Sequence, residues 1–317
     1  WNTLQVDVSA RKELKAYEEL WAQSFNSRTR AFLKIQDGCD QFCSYCIIPF
    51  ARGGVRSRNL ENILDEAKKL SENGFLEIVL TGIHLTSYGM EDGKKGLVDV
   101  ISGLNGVDGI RRIRLGSLEP LYMNQALIGR MAEFEKLCPH FHLSLQSGCD
   151  KTLARMNRKY DTRQYREIVG NIRRSFADAA ITTDIMVGFP GETGEEFNET
   201  CSFAESIGFS QIHIFQYSVR RGTIAAGMPD HVPAAAKEER SKILGKIAEK
   251  SKAAFRENHI GRTMEVLFEH MQDGLWEGHT HNYIPVRVAS STDLSGKMVM
   301  VRLVENKPEY VQGVIEG

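Results

Sequence analysis

The chain has no uninterrupted apolar run near the ~20 residues that a membrane-spanning helix requires, which excludes such a helix. Six cysteines in 317 residues are too few, and too unevenly spread, for a disulfide scaffold. Neither sign of charge dominates: 40 Lys and Arg stand against 41 Asp and Glu, a net charge of −1. Any affinity for nucleic acid therefore has to come from local basic patches. Internal repeats and low-complexity tracts are absent. The first residue is Trp1 rather than Met, and no charged-then-apolar signal segment follows it. The chain is accordingly expected to be a piece of a longer protein, working in the reducing cytoplasm without a membrane.

What the sequence does contain is a dense run, Lys34-Ile35-Gln36-Asp37-Gly38-Cys39-Asp40-Gln41-Phe42-Cys43-Ser44-Tyr45-Cys46. Three of the six cysteines fall in this Cys-x3-Cys-x2-Cys spacing, directly after an apolar strand pattern. Three thiolates on one short loop can bind one metal centre without long-range help. Tetrahedral zinc usually takes a fourth Cys or His nearby, and the next His downstream is His84. An iron–sulfur cube on three cysteines leaves one iron free of protein ligands, open to an amine and a carboxylate. A zinc knuckle completed by a distant ligand is the alternative. Cys138, Cys149 and Cys201 are scattered through apolar or helical patterns, as core cysteines are.

Along the chain, residues 1–30 are polar and weakly helical over 11–22, as in a linker. Apolar runs at 31–36, 75–80, 110–115, 140–145, 181–187 and 211–217 predict six strands. Helical spacing follows Asn59, and further helices are predicted over 97–104, 124–137, 150–156 and 162–176. Thr193 with Glu196 has the form of a capping box opening a helix to about 207. This alternation predicts α/β architecture, an open three-quarter (β/α)6 TIM-like barrel over 31–258. Pro233 opens a long helix over 234–256. From Gly261 the pattern changes to short alternating runs at 264–268, 283–289, 297–303 and 310–315, a small antiparallel β-barrel over 261–317. Polar and glycine clusters sit where the first set of strands end, the rim that carries chemistry in barrels.

In this order and on these strand ends, several short motifs together resemble the methylthiotransferases of the radical S-adenosylmethionine (SAM) type. They are Asp37-Gly38-Cys39, Ile47-Ile48-Pro49-Phe50-Ala51-Arg52-Gly53, Arg56-Ser57-Arg58, Leu80-Thr81-Gly82-Ile83-His84, Ser117-Leu118-Glu119-Pro120, Leu145-Gln146-Ser147-Gly148, Arg155-Met156-Asn157-Arg158-Lys159-Tyr160, the run from Thr183 to Glu192, and Tyr217-Ser218. The resemblance covers residues 28–317. Its Thr-Gly-Ile-His and Ser-Gly-Cys-Asp versions look most like the branch acting on N6-threonylcarbamoyladenosine beside the tRNA anticodon. Sister branches modify isopentenyladenosine or a ribosomal-protein aspartate. The C-terminal strands resemble the TRAM barrel, which presents the substrate. The family's N-terminal domain, with three more cysteines and a second 4Fe–4S cluster for sulfur delivery, is not in this sequence.

The resemblance implies that Cys39, Cys43 and Cys46 hold a 4Fe–4S cluster that orients SAM, with Tyr45 against the adenine. One electron, from a flavodoxin- or ferredoxin-type donor, then splits SAM to a radical that abstracts hydrogen from the carbon to be thiolated. Gly82 would let backbone approach the SAM ammonium, with His84 near it; the alternatives are a plain turn and a structural histidine. Glu119 and Gln146 are candidates for SAM ribose and amino groups. Arg158 is a candidate for its carboxylate, or else a solvated cation. Asp184, inside an apolar strand, is either a ligand contact or half of a buried ion pair. Arg52, Arg56 and Arg58, with Arg220 and Arg221, are expected to meet the phosphates of a tRNA anticodon stem-loop.

The C-terminal barrel holds five Lys and Arg against eight Asp and Glu. Its RNA contacts would then come from shape or from aromatics such as Trp276 and Tyr283. A monomeric enzyme is expected. The competing readings are a catalytically inactive cluster-bearing RNA-binding module and an enzyme modifying a protein side chain.

Overall fold

A computed structural model describes residues 16–19 and 29–316. The helical pattern expected over 11–22 lies mostly outside the described residues.

Eight strands build the first unit: β1 (Arg30–Asp37), β2 (Arg56–Ser57), β3 (Glu77–Gly82), β4 (Arg112–Leu115), β5 (Ser117–Leu118), β6 (His140–Leu143), β7 (Ala180–Val187) and β8 (Gln211–Gln216). They form two four-stranded sheets, ordered β2-β1-β3-β4 and β5-β6-β7-β8. Only Gly116 separates β4 from β5, and a parallel bridge from Ile113 to Leu137 carries the curl across the break. Apart from the short antiparallel β2, every pairing is parallel. Counting β4 and β5 as one interrupted strand, six parallel strands curl without closing, as the alternating pattern predicts. Eight helices accompany them: α1 (Ile48–Ala51), α2 (Leu60–Glu72), α3 (Leu97–Asn105), α4 (Gln125–Met131), α5 (Asp150–Arg155), α6 (Thr162–Ser175), α7 (Gly194–Ile207) and α8 (Ala234–Glu257).

The local reasons are legible. Asn59 accepts hydrogen bonds from the Glu61 and Asn62 amides, and α2 then buries Ile63, Ala67 and Leu70 against the sheet. Thr193 and Glu196 cap α7 reciprocally, as their spacing predicts. The helix expected over 124–137 stops at Met131; the chain turns there so that Cys138 N–H can pair with the Ile113 carbonyl. Among the described residues no helix is long and apolar enough to cross a membrane.

The second unit is a closed barrel of β9 (Thr263–Gln272), β10 (Leu275–Thr280), β11 (Pro285–Val288), β12 (Met298–Asn306) and β13 (Val311–Ile315), in the order β10-β11-β13-β12-β9. Sequence patterning yields four of these five strands. β10 carries Gly278, whose absent Cβ lets the Leu267 carbonyl of β9 approach, and its polar residues hide the alternation. The barrel is antiparallel except where β11 runs parallel to β13.

Charge at the N-terminal ends of the core strands docks the barrel. Arg112 donates to the His279 and Glu265 carbonyls at 3.0 and 2.7 Å, and Arg114 donates to the His281 carbonyl at 3.0 Å. Glu77, 1% exposed, receives Arg114 Nε at 2.7 Å. Burial opposes its charge, but Arg114, Arg30 and Arg112 hold its carboxyl below the ordinary range. Tyr283 lies between the Arg30 and Arg114 guanidiniums, 5.0 and 4.7 Å from its ring centre, and stacks on His279. Trp276 is buried in the barrel core. The two aromatics expected to meet RNA are therefore structural: one fills the barrel, the other seals the joint.

Glu77→Gln keeps the shape of this joint and removes its negative charge. Breaking a buried pair from one side costs ~3–5 kcal/mol, so urea unfolding should show a loss of stability of that size. A loss below ~1 kcal/mol would mean that the arginines find their counter-charge elsewhere.

Candidate cofactor site

The cysteine loop leaves the C-terminal end of β1, and each of its turns is tied down. Gly38 has φ +74°, and a Cβ there would sit 1.8 Å from the Gly54 carbonyl oxygen, so only glycine fits. Cys39 N–H donates to the Gly53 carbonyl at 3.1 Å. Further on, Ser44 N–H donates to the Met156 carbonyl, Ser44 Oγ–H to the Arg155 carbonyl, and Asn157 Nδ2 to the Phe42 carbonyl. The segment after α5 thus acts as a template against which the loop is shaped.

Arg158 is the centre of the site. Its side chain is 5% exposed, and its Nη2 donates to both Glu119 oxygens, at 2.9 and 2.7 Å, and to the Ser144 carbonyl at 3.1 Å. Nε reaches Tyr160 Oη at 3.0 Å, and Nη1 lies 3.2 Å from Cys43 Sγ. Burial works against the guanidinium's charge, but Tyr160, Tyr45, Glu119 and Cys43 around it favour the charged form. Burial pushes Glu119 up despite Arg158, and it pushes the Cys39 thiol up to about 11. A cation at Cys43 is what a metal-bound thiolate needs nearby.

Two expected residues meet through one that sequence reading passed over. Gln36 Oε1 accepts the His84 amide at 2.7 Å, while its Nε2 donates to the Asp37 and Gly38 carbonyls. A Cβ on Gly82 would meet Gln36 at 2.9 Å, so the glycine admits this bridge between β1 and β3. Gln36 is a fully buried amide at the end of an apolar strand, and that position was its signal. His84 is 7% exposed, and both ring nitrogens are buried without a hydrogen-bond partner among the described residues. Desolvation, and then Arg158, lowers its pKa to about 4. Its ring meets Tyr122 edge-on at 5.4 Å, and Tyr122 Oη accepts from Gln41 Nε2 of the cysteine loop.

Across the rim, Gln146 takes φ +71°, costly for a non-glycine residue. Its amide N–H donates to the Asp184 carbonyl, and its side chain has no hydrogen-bond partner among the described residues. Asp184 is part-exposed and lies 3.2 Å from His142 Nε2. Tyr45 packs edge-on against Phe189 in a small cluster with Met156 and Tyr217.

The expected arginine patch needs correction. Arg58 is 2% exposed, engaged by Glu66 at 2.5 Å and Glu19 at 2.6 Å. Arg56 is buried, donating to the Arg52 and Gly54 carbonyls beside Asp37. Both shape the loop and face no RNA. Arg52 is half-exposed, 3.7 Å from Asp37, and Arg220 and Arg221 are exposed.

These side chains fit an iron–sulfur cluster with SAM. Three thiols on one loop, a buried cation at one of them, and the partnerless His84 ring and Gln146 amide suit a larger polar group.

A His that is neutral when buried and charged when unfolded makes stability fall with pH. With a folded pKa of about 4 against ~6.5 unfolded, His84 should cost up to ~3 kcal/mol as pH drops from 6.5 to 4. Urea unfolding of the apoprotein should show a shallower pH slope in His84→Gln over that window. Parallel slopes would mean that the ring protonates freely when folded.

The Radical SAM superfamily profile matches residues 33–204. Threonylcarbamoyladenosine tRNA methylthiotransferase MtaB of Bacillus subtilis is 36% identical, over 96% of this chain and 69% of that protein. The tRNA-2-methylthio-N(6)-dimethylallyladenosine synthase of Acetivibrio thermocellus is 37% identical, over 90% of this chain and 60% of that protein. The chain thus spans 60 to 69% of the length of these relatives. Among solved structures, coproporphyrinogen III oxidase HemN of Escherichia coli superposes with a TM-score of 0.52 at 14% identity, over 70% of this chain and 54% of that one, a likeness of fold alone. The profile match and the two long alignments agree with the cysteine loop and the curled sheet: the chain belongs to the radical SAM methylthiotransferase family.

Proposed function

We propose that this chain is the catalytic core of a tRNA methylthiotransferase that modifies C2 of N6-threonylcarbamoyladenosine next to the anticodon. The observation that carries the reading is the Arg158 arrangement, which ties the cysteine loop to the strand ends where a substrate can reach it. A 4Fe–4S cluster and SAM are the cofactors of this family, and Cys39, Cys43 and Cys46 would hold the cluster. When bound and reduced, that cluster supplies the electron that splits SAM into methionine and a 5′-deoxyadenosyl radical.

The chain's own residues bind and orient. Arg158 offsets negative charge at Cys43 while fixing Glu119 and Tyr160. His84, neutral at pH 7, offers one donor and one acceptor with no hydrogen-bond partner among the described residues. Gln146 presents a free amide from a strained backbone, as ligand-positioning residues do. Cys39 and Glu119 are themselves buried, while Cys43, Tyr45 and Cys46 remain partly open.

The threonylcarbamoyl assignment rests on Thr81-Gly82-Ile83-His84 and Ser147-Gly148-Cys149-Asp150, and on the relative so named, which aligns with 96% of the chain. Relatives named for dimethylallyladenosine align over 90% at similar identity, which makes that nucleoside the second reading. Cys138 precedes β6, Cys149 caps α5 and Cys201 lies on α7, and they form no ligand group among the described residues. A second cluster for sulfur delivery would need ligands from elsewhere.

Anaerobically reconstituted chain should bind about four irons and, once reduced, release 5′-deoxyadenosine from SAM. Replacing Cys39, Cys43 and Cys46 together by Ala should abolish cluster absorbance and SAM cleavage; a full cluster in that variant would refute the ligand assignment. Mass spectrometry of tRNA nucleosides from cells lacking the gene should show the methylthio group lost from threonylcarbamoyladenosine alone. Loss from the dimethylallyl nucleoside instead would overturn the substrate assignment.

A further inference from the structure

With Arg56 and Arg58 engaged in the fold, only Arg52, Arg220 and Arg221 of the expected patch remain exposed, and further cations for RNA have to be sought elsewhere on the rim. Beside the cofactor site, between the loop that follows His84 and α4, lies a groove of about 440 Å³. That volume is in the range of built ligand pockets. Its walls include Met90, Lys94, Lys95, Tyr122 and Arg130. Lys94, Lys95 and Arg130 are exposed, and none has an ion pair among the described residues. The groove's one acid, Asp99, is engaged in capping α3, accepting the Gly96 amide at 2.7 Å. The loop that carries the lysines is anchored. Glu91 accepts the Ser57 amide at 2.5 Å and the Ser57 hydroxyl at 3.0 Å, and the Gly89 amide donates to Ser57 Oγ at 2.7 Å.

Tyr122 belongs to both places. It lines the groove, and it also touches His84 and the cysteine-loop residue Gln41. We propose that this groove holds the RNA strand flanking the adenosine that enters the site. Phosphates meet Lys94, Lys95 and Arg130, and a neighbouring base lies against Tyr122 and Met90. The inference rests on the RNA-substrate reading above and names the surface that serves it. Cations fix a nucleic-acid backbone in register, and an aromatic face takes a base of any identity. Glu91 and Asp92 share the loop with the lysines but are not among the groove's lining residues, where three cations stand against Asp99 alone, so the charge of the groove favours RNA over a basic ribosomal protein.

The test measures binding of a tRNA anticodon stem-loop transcript to this chain across a salt series. Two variants are compared with the wild type: Lys94→Ala/Lys95→Ala/Arg130→Ala, and Lys242→Ala/Lys246→Ala/Lys250→Ala on α8, which removes equal charge. The groove variant should bind at least about 10-fold more weakly, with a log–log salt slope flatter by about 2. The α8 variant should bind like the wild type, and both should keep the wild-type melting temperature. Photocrosslinking from 4-thiouridine beside the target adenosine should label peptides within residues 86–99 or 120–131. Wild-type affinity and slope in the groove variant would overturn the groove and leave the RNA reading standing, as would equal weakening in the α8 variant. A wild-type chain that binds no RNA would overturn both.

Discussion

A buried guanidinium is expensive unless its nitrogens are answered, and the site depends on one whose three nitrogens all have partners. Arg158 reaches four separate pieces of the chain: the cysteine loop at Cys43, the end of β5 at Glu119, the end of β6 at Ser144, and its own neighbour Tyr160. The pair it makes with Glu119 adds little net stability by itself, since desolvation offsets most of the attraction. Its effect is positional. Any displacement of the loop, of β5 or of β6 would leave a charge in apolar surroundings without its partner, so the three elements can occupy one relative arrangement only. The hydrogen bonds from Ser44 and Asn157 then fix the loop's path between the cysteines.

Much of the fold was legible because it is encoded locally. Six apolar runs alternating with helical patterns give the curled parallel sheet, and Asn59 and Thr193 cap the helices their spacing announces. What could not be read depends on residues distant in sequence. β10 has little alternation because Gly278 is present for the backbone of β9 rather than for a core of its own. The end of α4 is set by a hydrogen bond from Cys138 back to β4.

The same division holds within the site. Cys39, Cys43 and Cys46 are recognisable because one loop carries all three. Arg158 and Glu119 stood out as candidates, but their partnership joins residues 39 apart. Gln36 and Tyr122 went unnoticed, although each links two parts of the rim. Arg56 and Arg58 misled for the converse reason. Arginines in a row look like a phosphate-binding patch, whereas carboxylates from Glu19, Asp37 and Glu66 convert them into internal supports. Clustered charge in a sequence says nothing about which charges the fold has already neutralised.

The docking of the barrel has a geometrical consequence. It grips the core through Arg30, Arg112 and Arg114, at the ends of the strands opposite to those that carry the cysteines. Strands β1 and β7 are each eight residues long, which at ~3.3 Å per residue separates the two ends by roughly 25 Å. A free nucleoside is far too short to touch both. A ligand that touched both the barrel and the rim would have to span at least that distance. The joint therefore works as a calliper: it sets a minimum length for anything that is to touch both ends of the sheet at once.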